Sequence, residues 1–184
     1  MNETELNQFT LSIECLKLAL RLSHAINNET IDLNVLREGY RIDNPNGPII
    51  PHENELSKSD LYQDAQNLQV SALGTCILYL DKLLESFVKK NPSSEVNFDK
   101  IRSIIFQLRN AYAHNPLRPT WYCWTKYLRK YKIELSNKSI LIDLSTLNGQ
   151  EFDINQIGGF GNLFSMIEEC KNFIAKNPKL DRNN

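Results

Sequence analysis

The run Asn97-Phe98-Asp99-Lys100-Ile101-Arg102-Ser103-Ile104-Ile105-Phe106-Gln107-Leu108-Arg109-Asn110-Ala111-Tyr112-Ala113-His114-Asn115-Pro116 decides the fold. Phe98, Ile101, Ile104, Ile105 and Leu108 recur every three or four residues, which places them on one inward stripe of an α-helix. Asn97 is a suitable N-cap, since its side-chain oxygen can accept from an otherwise free amide of the first turn. Pro116 ends the helix near His114, because it lacks an amide donor and pushes Asn115 out of the helical region. Arg109, Asn110 and His114 therefore gather at a helix end, while Ala111 and Ala113 leave room for another helix to come close.

Upstream, Leu61, Ala65, Leu68, Ala72, Cys76, Tyr79 and Leu83 form one helical stripe and Val70, Leu73, Ile77, Leu80, Leu84 and Phe87 a second. A helix with two such stripes belongs inside a bundle. It starts at Ser57 and Asp60 and runs to about Lys89; Asp81, Lys82 and Glu85 mark it as a core helix rather than a membrane span. Leu6, Phe9, Ile13, Leu16 and Leu20 predict an earlier amphipathic helix to about Asn27. Between Asn28 and Asn54 the periodicity is lost and Gly39, Pro45, Gly47, Pro48 and Pro51 appear, so a long loop is expected, with one helical turn around Asp32 to Glu38. Downstream, Trp121 to Tyr127 has no assignable pattern. Tyr131 to Leu135 and Ser139 to Leu144 flank Ser136-Asn137-Lys138 as the arms of a β-hairpin. Leu163, Met166, Ile167, Cys170 and Ile174 predict a last helix that stops near Asn177-Pro178. The expected fold class is mainly α: a bundle of four to five helices with a small β-hairpin insertion before the last helix, one domain over residues 1–178 and a polar tail over 179–184.

A chain of 184 residues can bury a core without disulfide or metal staples. Its 41% hydrophobic and 23% charged content is ordinary for a soluble domain, and a net charge of −1 excludes a uniformly basic surface, so any nucleic-acid contact must be local. Cys15, Cys76, Cys123 and Cys170 are widely spaced with no Cys-x-x-Cys pair. They read as reduced thiols of a cytoplasmic protein with no metal site and no cofactor. The polar, acidic N-terminus shows no secretory signal and no membrane segment is expected. His24 ends a helix pattern and His52 lies in the Pro-rich loop. Gly158-Gly159-Phe160-Gly161 lacks the Lys-Ser/Thr of a phosphate loop and reads as turns.

The helix end carrying Arg109, Asn110 and His114 resembles the HEPN superfamily, whose motif is an Arg, usually followed by a polar residue, with a His four to six residues after the Arg. The resemblance is sharp over about Asn97 to Pro116. It implies a helical bundle that dimerises so that two motifs face each other in one composite cleft, and in many members a metal-independent endoribonuclease. Many branches are nearly all-helical, so the hairpin at 131–144 is a departure. In the branch whose toxin is modified on a tyrosine two residues after the histidine, this chain has Pro116, which speaks against that route of regulation.

The chemistry is sensible on its own terms. RNA can be cut when its 2′-hydroxyl attacks the adjacent phosphate, which needs a proton acceptor, a proton donor and stabilisation of added negative charge. Histidine, with an unperturbed pKa of about 6.5, moves protons near neutrality. Arginine presents planar, permanently charged donors to phosphate oxygens. His114 is assigned to proton transfer, Arg109 to the phosphate, and Asn110 to orienting the substrate or His114. The product is then a 2′,3′-cyclic phosphate, and DNA resists for want of the attacking hydroxyl. Downstream, Arg118, Lys126, Arg129, Lys130, Lys132 and Lys138 interleave with Trp121, Tyr122, Trp124, Tyr127 and Tyr131, as a path for single-stranded RNA requires, with Arg118, Trp121, Tyr122, Lys126, Arg129 and Lys130 the expected binding residues. The expected function is a homodimeric toxin or anti-phage defence effector restrained by an antitoxin or regulatory partner. Two other readings stay open: a non-catalytic dimerisation scaffold that binds RNA, a nucleotide or a protein partner, and an unrelated helical domain in which Arg109 makes an internal salt bridge.

Overall fold

The computed structural model describes residues 3–34, 57–87, 96–135 and 138–176, in which the chain is mainly helical with one small antiparallel hairpin. The helices are α1 (Glu3–Asn27), α2 (Lys58–Leu84), α3 (Asn97–His114), the short α4 (Leu144–Leu147) and α5 (Gly159–Lys176). Strands β1 (Lys130–Leu135) and β2 (Lys138–Asp143) lie between α3 and α4, in register with Tyr131 opposite Ile142 and Ile133 opposite Ile140. The tail over 179–184 and most of the loop expected between Asn28 and Asn54 lie outside the described residues. No described helix is long and apolar enough to cross a membrane.

The chain forms two compact units, one of Met1–Ser12 with Gly74–Asn184 and the other of Ile13–Leu73. In the smaller unit, Leu16, Ala19 and Ile26 of α1 and Leu61 and Ala65 of α2 are buried. There α2 begins with a reciprocal cap: the Ser57 amide donates to Asp60 at 2.9 Å and the Asp60 amide donates to the Ser57 hydroxyl at 3.2 Å. At the other end of α1, Thr30 N–H donates to Ala25 across the helix terminus, and Glu29 takes up the left-handed conformation that this closure requires. His24 contacts the Asn28 side-chain amide in the same turn, at 3.1 Å.

The larger unit is organised on α3. Ile101, Ile104, Ile105 and Leu108 are fully or almost fully buried, and so are Gln107, Ala111 and Tyr112 around the rest of the helix. Each buried aliphatic side chain contributes about 1.5–3 kcal/mol through removal from water. Phe98, at the helix start, stacks on Phe173 of α5 with ring centroids 3.6 Å apart. Leu163, Met166, Ile167, Cys170 and Ile174 form the buried face of α5, as their spacing predicts.

Asn97 does not cap α3. Val96 holds the cap position without a side-chain hydrogen bond, and Asn97 reaches to β1 instead. Its Nδ2 donates to the Glu134 carbonyl at 2.6 Å and its Oδ1 accepts from the Glu134 amide at 2.8 Å. A two-stranded sheet leaves one edge of each strand unpaired, and a primary amide satisfies a donor and an acceptor of that edge together, which outweighs one cap bond. The second helix also ends earlier than its spacing suggests, passing at Leu84 into a 3-10 turn over Glu85–Phe87.

Helix α2 approaches α3 closely where Gly74 meets the buried Tyr112 ring: a Cβ at Gly74 would come within 2.5 Å of Tyr112 Cδ1. Overpacking of this kind costs about 1–3 kcal/mol. Gly74→Ala is expected to lower the unfolding free energy by that amount in urea titration, and an unchanged midpoint would show that the ring moves aside freely. Asn97→Ala opens two exposed backbone groups of β1 to water and is expected to cost about 0.5–1.5 kcal/mol in the same measurement.

Candidate functional site

Arg109, Asn110 and His114 occupy the last two turns of α3. Residues on an α-helix advance about 100° and 1.5 Å each, so Asn110 and His114 share a face, whereas Arg109 stands about 140° around from His114 and roughly 7.5 Å back along the axis. Asn110 is buried, His114 is exposed, and the Arg109 side chain is 45% exposed. Asn110 therefore lies beneath the arc that separates the two groups.

Arg109 is held from two sides. Its Nη1 donates to Asn110 Oδ1 at 3.2 Å, and its Nε lies 3.7 Å from Asp81 Oδ2 on α2. Asp81, 14% exposed, also meets Arg102 Nη1 at 2.7 Å, one face of α3 presenting both guanidinium groups to it. The two contacts differ in strength. Arg102 is buried and close, so its interaction with Asp81 is felt at low dielectric. Arg109 is further away and half in water, where ion pairs contribute about 0–1 kcal/mol. Asp81 thus aims Arg109 without consuming it, and the Arg109 guanidinium can still receive a phosphate. Burial raises the Asp81 pKa against the opposing pull of Arg102 and Arg109. Asn110 Nδ2 is buried without a hydrogen-bond partner among the described residues.

After α3 the chain reverses through Asn115, whose Oδ1 accepts from the Arg118 amide at 3.1 Å. It then runs extended alongside residues 149–152: the Trp121 amide donates to Gln150, the Gly149 amide to Trp121 and the Phe152 amide to Pro119, all at 2.7–2.9 Å. The extended backbone sends successive side chains to opposite sides. Trp121 and Cys123 point inward; Tyr122 and Trp124 point outward, 63% and 53% exposed. The Tyr122 ring lies 5.4 Å from the His114 ring.

Trp121, expected on the RNA path, is completely buried. Its Nε1 donates to Gln156 Oε1 at 2.7 Å and its ring packs edge-on against Phe152, so it anchors the segment and offers no face to a ligand. Arg118 is exposed but pairs with Glu151 at 3.1 Å. Lys126 lies over the Trp124 and Tyr127 rings at 5.6 and 5.1 Å, Arg129 lies over Tyr131 at 5.3 Å, and Lys130 is 3.7 Å from Asp143 across the hairpin. Of the expected binding residues, Tyr122 is the one in ring contact with the motif.

Asp81 and Trp124 matter more than their sequence context suggests. Asp81 reads there as an interruption in an apolar run, although a buried acid on a core helix requires a partner. Trp124 stands in the sequence among the aromatic residues of the expected path, and the alternation of residues 121–124 is what separates it, exposed, from the buried Trp121.

A folded-state pKa raised above 3.8 means that the folded chain binds the Asp81 proton more tightly than the unfolded chain does. The associated stability is full below that value and is lost as pH rises through the raised folded one. Asp81→Asn, which keeps the side chain neutral, is expected to remove this loss. Chemical denaturation at a series of pH values should show the natural protein losing stability relative to Asp81→Asn from about pH 4 upward, and parallel curves would contradict the assignment. Comparison with models of known families, with curated proteins and with solved structures gave no match.

Proposed function

We propose that the protein is a metal-independent endoribonuclease of the HEPN type that works as a homodimer on cellular RNA, as a toxin or anti-phage defence effector. The observation that carries this reading is that one buried helix ends with both an exposed imidazole and a half-exposed, carboxylate-aimed guanidinium. Within one chain these groups diverge by about 140°. A second copy, set with its own helix end against the first, would bring the Arg109 of one chain toward the His114 of the other, as a twofold axis permits.

In this mechanism one His114 takes the proton of the RNA 2′-hydroxyl as its oxygen forms a bond to phosphorus. Arg109 donates hydrogen bonds to the non-bridging oxygens, where negative charge grows. The bond to the 5′-oxygen then breaks, and that oxygen takes a proton from the second His114. The products are a 2′,3′-cyclic phosphate and a free 5′-hydroxyl. All protons are accounted for by side chains of the dimer, and no oxidant or further reactant enters.

The contacts of Arg109 with Asp81 and Asn110 favour a second reading, a non-catalytic scaffold in which the arginine is structural. Cleavage assays of the purified chain in excess chelator separate the two. Native protein is expected to cut RNA and not DNA, leaving cyclic phosphate ends. His114→Ala should reduce cutting by about 10²–10⁴-fold with unchanged thermal unfolding. Arg109→Lys, which keeps charge but loses the planar fork, should fall well below native. Native protein that leaves RNA intact points to the scaffold.

A further inference from the structure

An open pocket of about 450 Å³ is lined by Tyr122, Cys123, Trp124, Thr125, Asn148 and Gly149, and its Tyr122 ring lies 5.4 Å from the His114 ring. Its two exposed rings, Tyr122 and Trp124, lie two residues apart on one side of an extended segment. Side chains so placed start about 6.6 Å apart, close to the two ring-to-ring separations of about 3.5 Å that a planar group between them needs. Both rings are propped before any ligand arrives, Tyr122 by the His114 ring and Trp124 by an edge-on contact with Phe106 at 5.5 Å and by Lys126. The backbone that carries them is bonded to residues 149–152, so the pocket is preformed.

One polar group gives the pocket direction. Asn148 Oδ1 accepts from the Cys123 amide at 2.9 Å, which fixes the side chain and leaves its Nδ2 as a donor with no partner among the described residues. Cys123 is a wall rather than a nucleophile, since burial pushes its thiol up to about 11 and keeps it protonated at neutral pH.

We propose that this pocket holds one unstacked nucleobase of the RNA strand between Tyr122 and Trp124, with Asn148 Nδ2 donating to an acceptor on the base edge. The choice of RNA rests on the ribonuclease reading; the stacking and donor geometry do not. The ring contact between Tyr122 and His114 puts this base next to the phosphate to be cut, so the pocket acts as a specificity subsite.

The test uses the full chain and 5′-labelled 2′-O-methyl trinucleotides that differ in the central base and cannot be cut by their own 2′-oxygen. Fluorescence anisotropy is expected to show saturable binding, with Tyr122→Ala and Trp124→Ala each weakening it about ten-fold or more, as loss of a stacking platform does. Asn148→Asp keeps an acceptor for the Cys123 amide but loses the donor, and should flatten discrimination among central bases, with circular dichroism confirming the fold. No saturable binding by the native chain, or alanine variants that bind as tightly as native, overturns the pocket even if RNA is still cleaved. Binding that depends on Tyr122 and Trp124 in a protein that cuts no RNA upholds the pocket and removes the ribonuclease reading alone.

Discussion

One buried carboxylate between two guanidinium groups sets the orientation of the helix on which the site depends. Asp81 projects from α2 toward Arg102 and Arg109, which are two turns apart on α3 and so present themselves on the same side. The close contact to Arg102 ties the two helices together in the interior. The longer contact to Arg109 lies where water reaches, and it limits the directions that guanidinium can take without neutralising it. Rotation of α3 by one residue would break both contacts and turn Asn110 out of the core.

The elements after α3 follow from the same fixed helix. Asn97 at its start fastens the outer edge of β1, and the end at His114 delivers the chain into an extended segment pinned by Trp121. Alternation along that segment puts Trp121 inside and Tyr122 outside, so one backbone conformation both anchors the loop and sets an aromatic ring against His114. The basic residues beyond it are engaged with aromatic rings or acids of the hairpin rather than standing as free charges.

The four long helices were legible in the sequence because apolar residues repeat at the helical period over many turns, and the hairpin because β-branched residues flank a short polar connection; the short α4, which begins at Leu144 where a strand was expected, was not. Pro116 marked the end of α3 to the residue before its cap. What could not be read was tertiary. Asn97 has the local credentials of a cap, but a β-edge 37 residues away competes for its side chain. Trp121 and Tyr122 are adjacent and both aromatic, and only the direction of the backbone separates anchor from exposed ring. Asp81 acquires its role from partners on another helix, which no spacing within α2 encodes.

The central claim is that Arg109 of one chain acts with His114 of another. It is tested most directly by mixing native with His114→Ala protein in equal amounts under conditions that let subunits exchange. Because one cut uses the His114 of both chains, the quarter of dimers built from two native chains would do the cutting, giving about a quarter of native RNA cleavage. Mixed dimers confirmed by mass with about half of native cleavage retained would contradict the composite site.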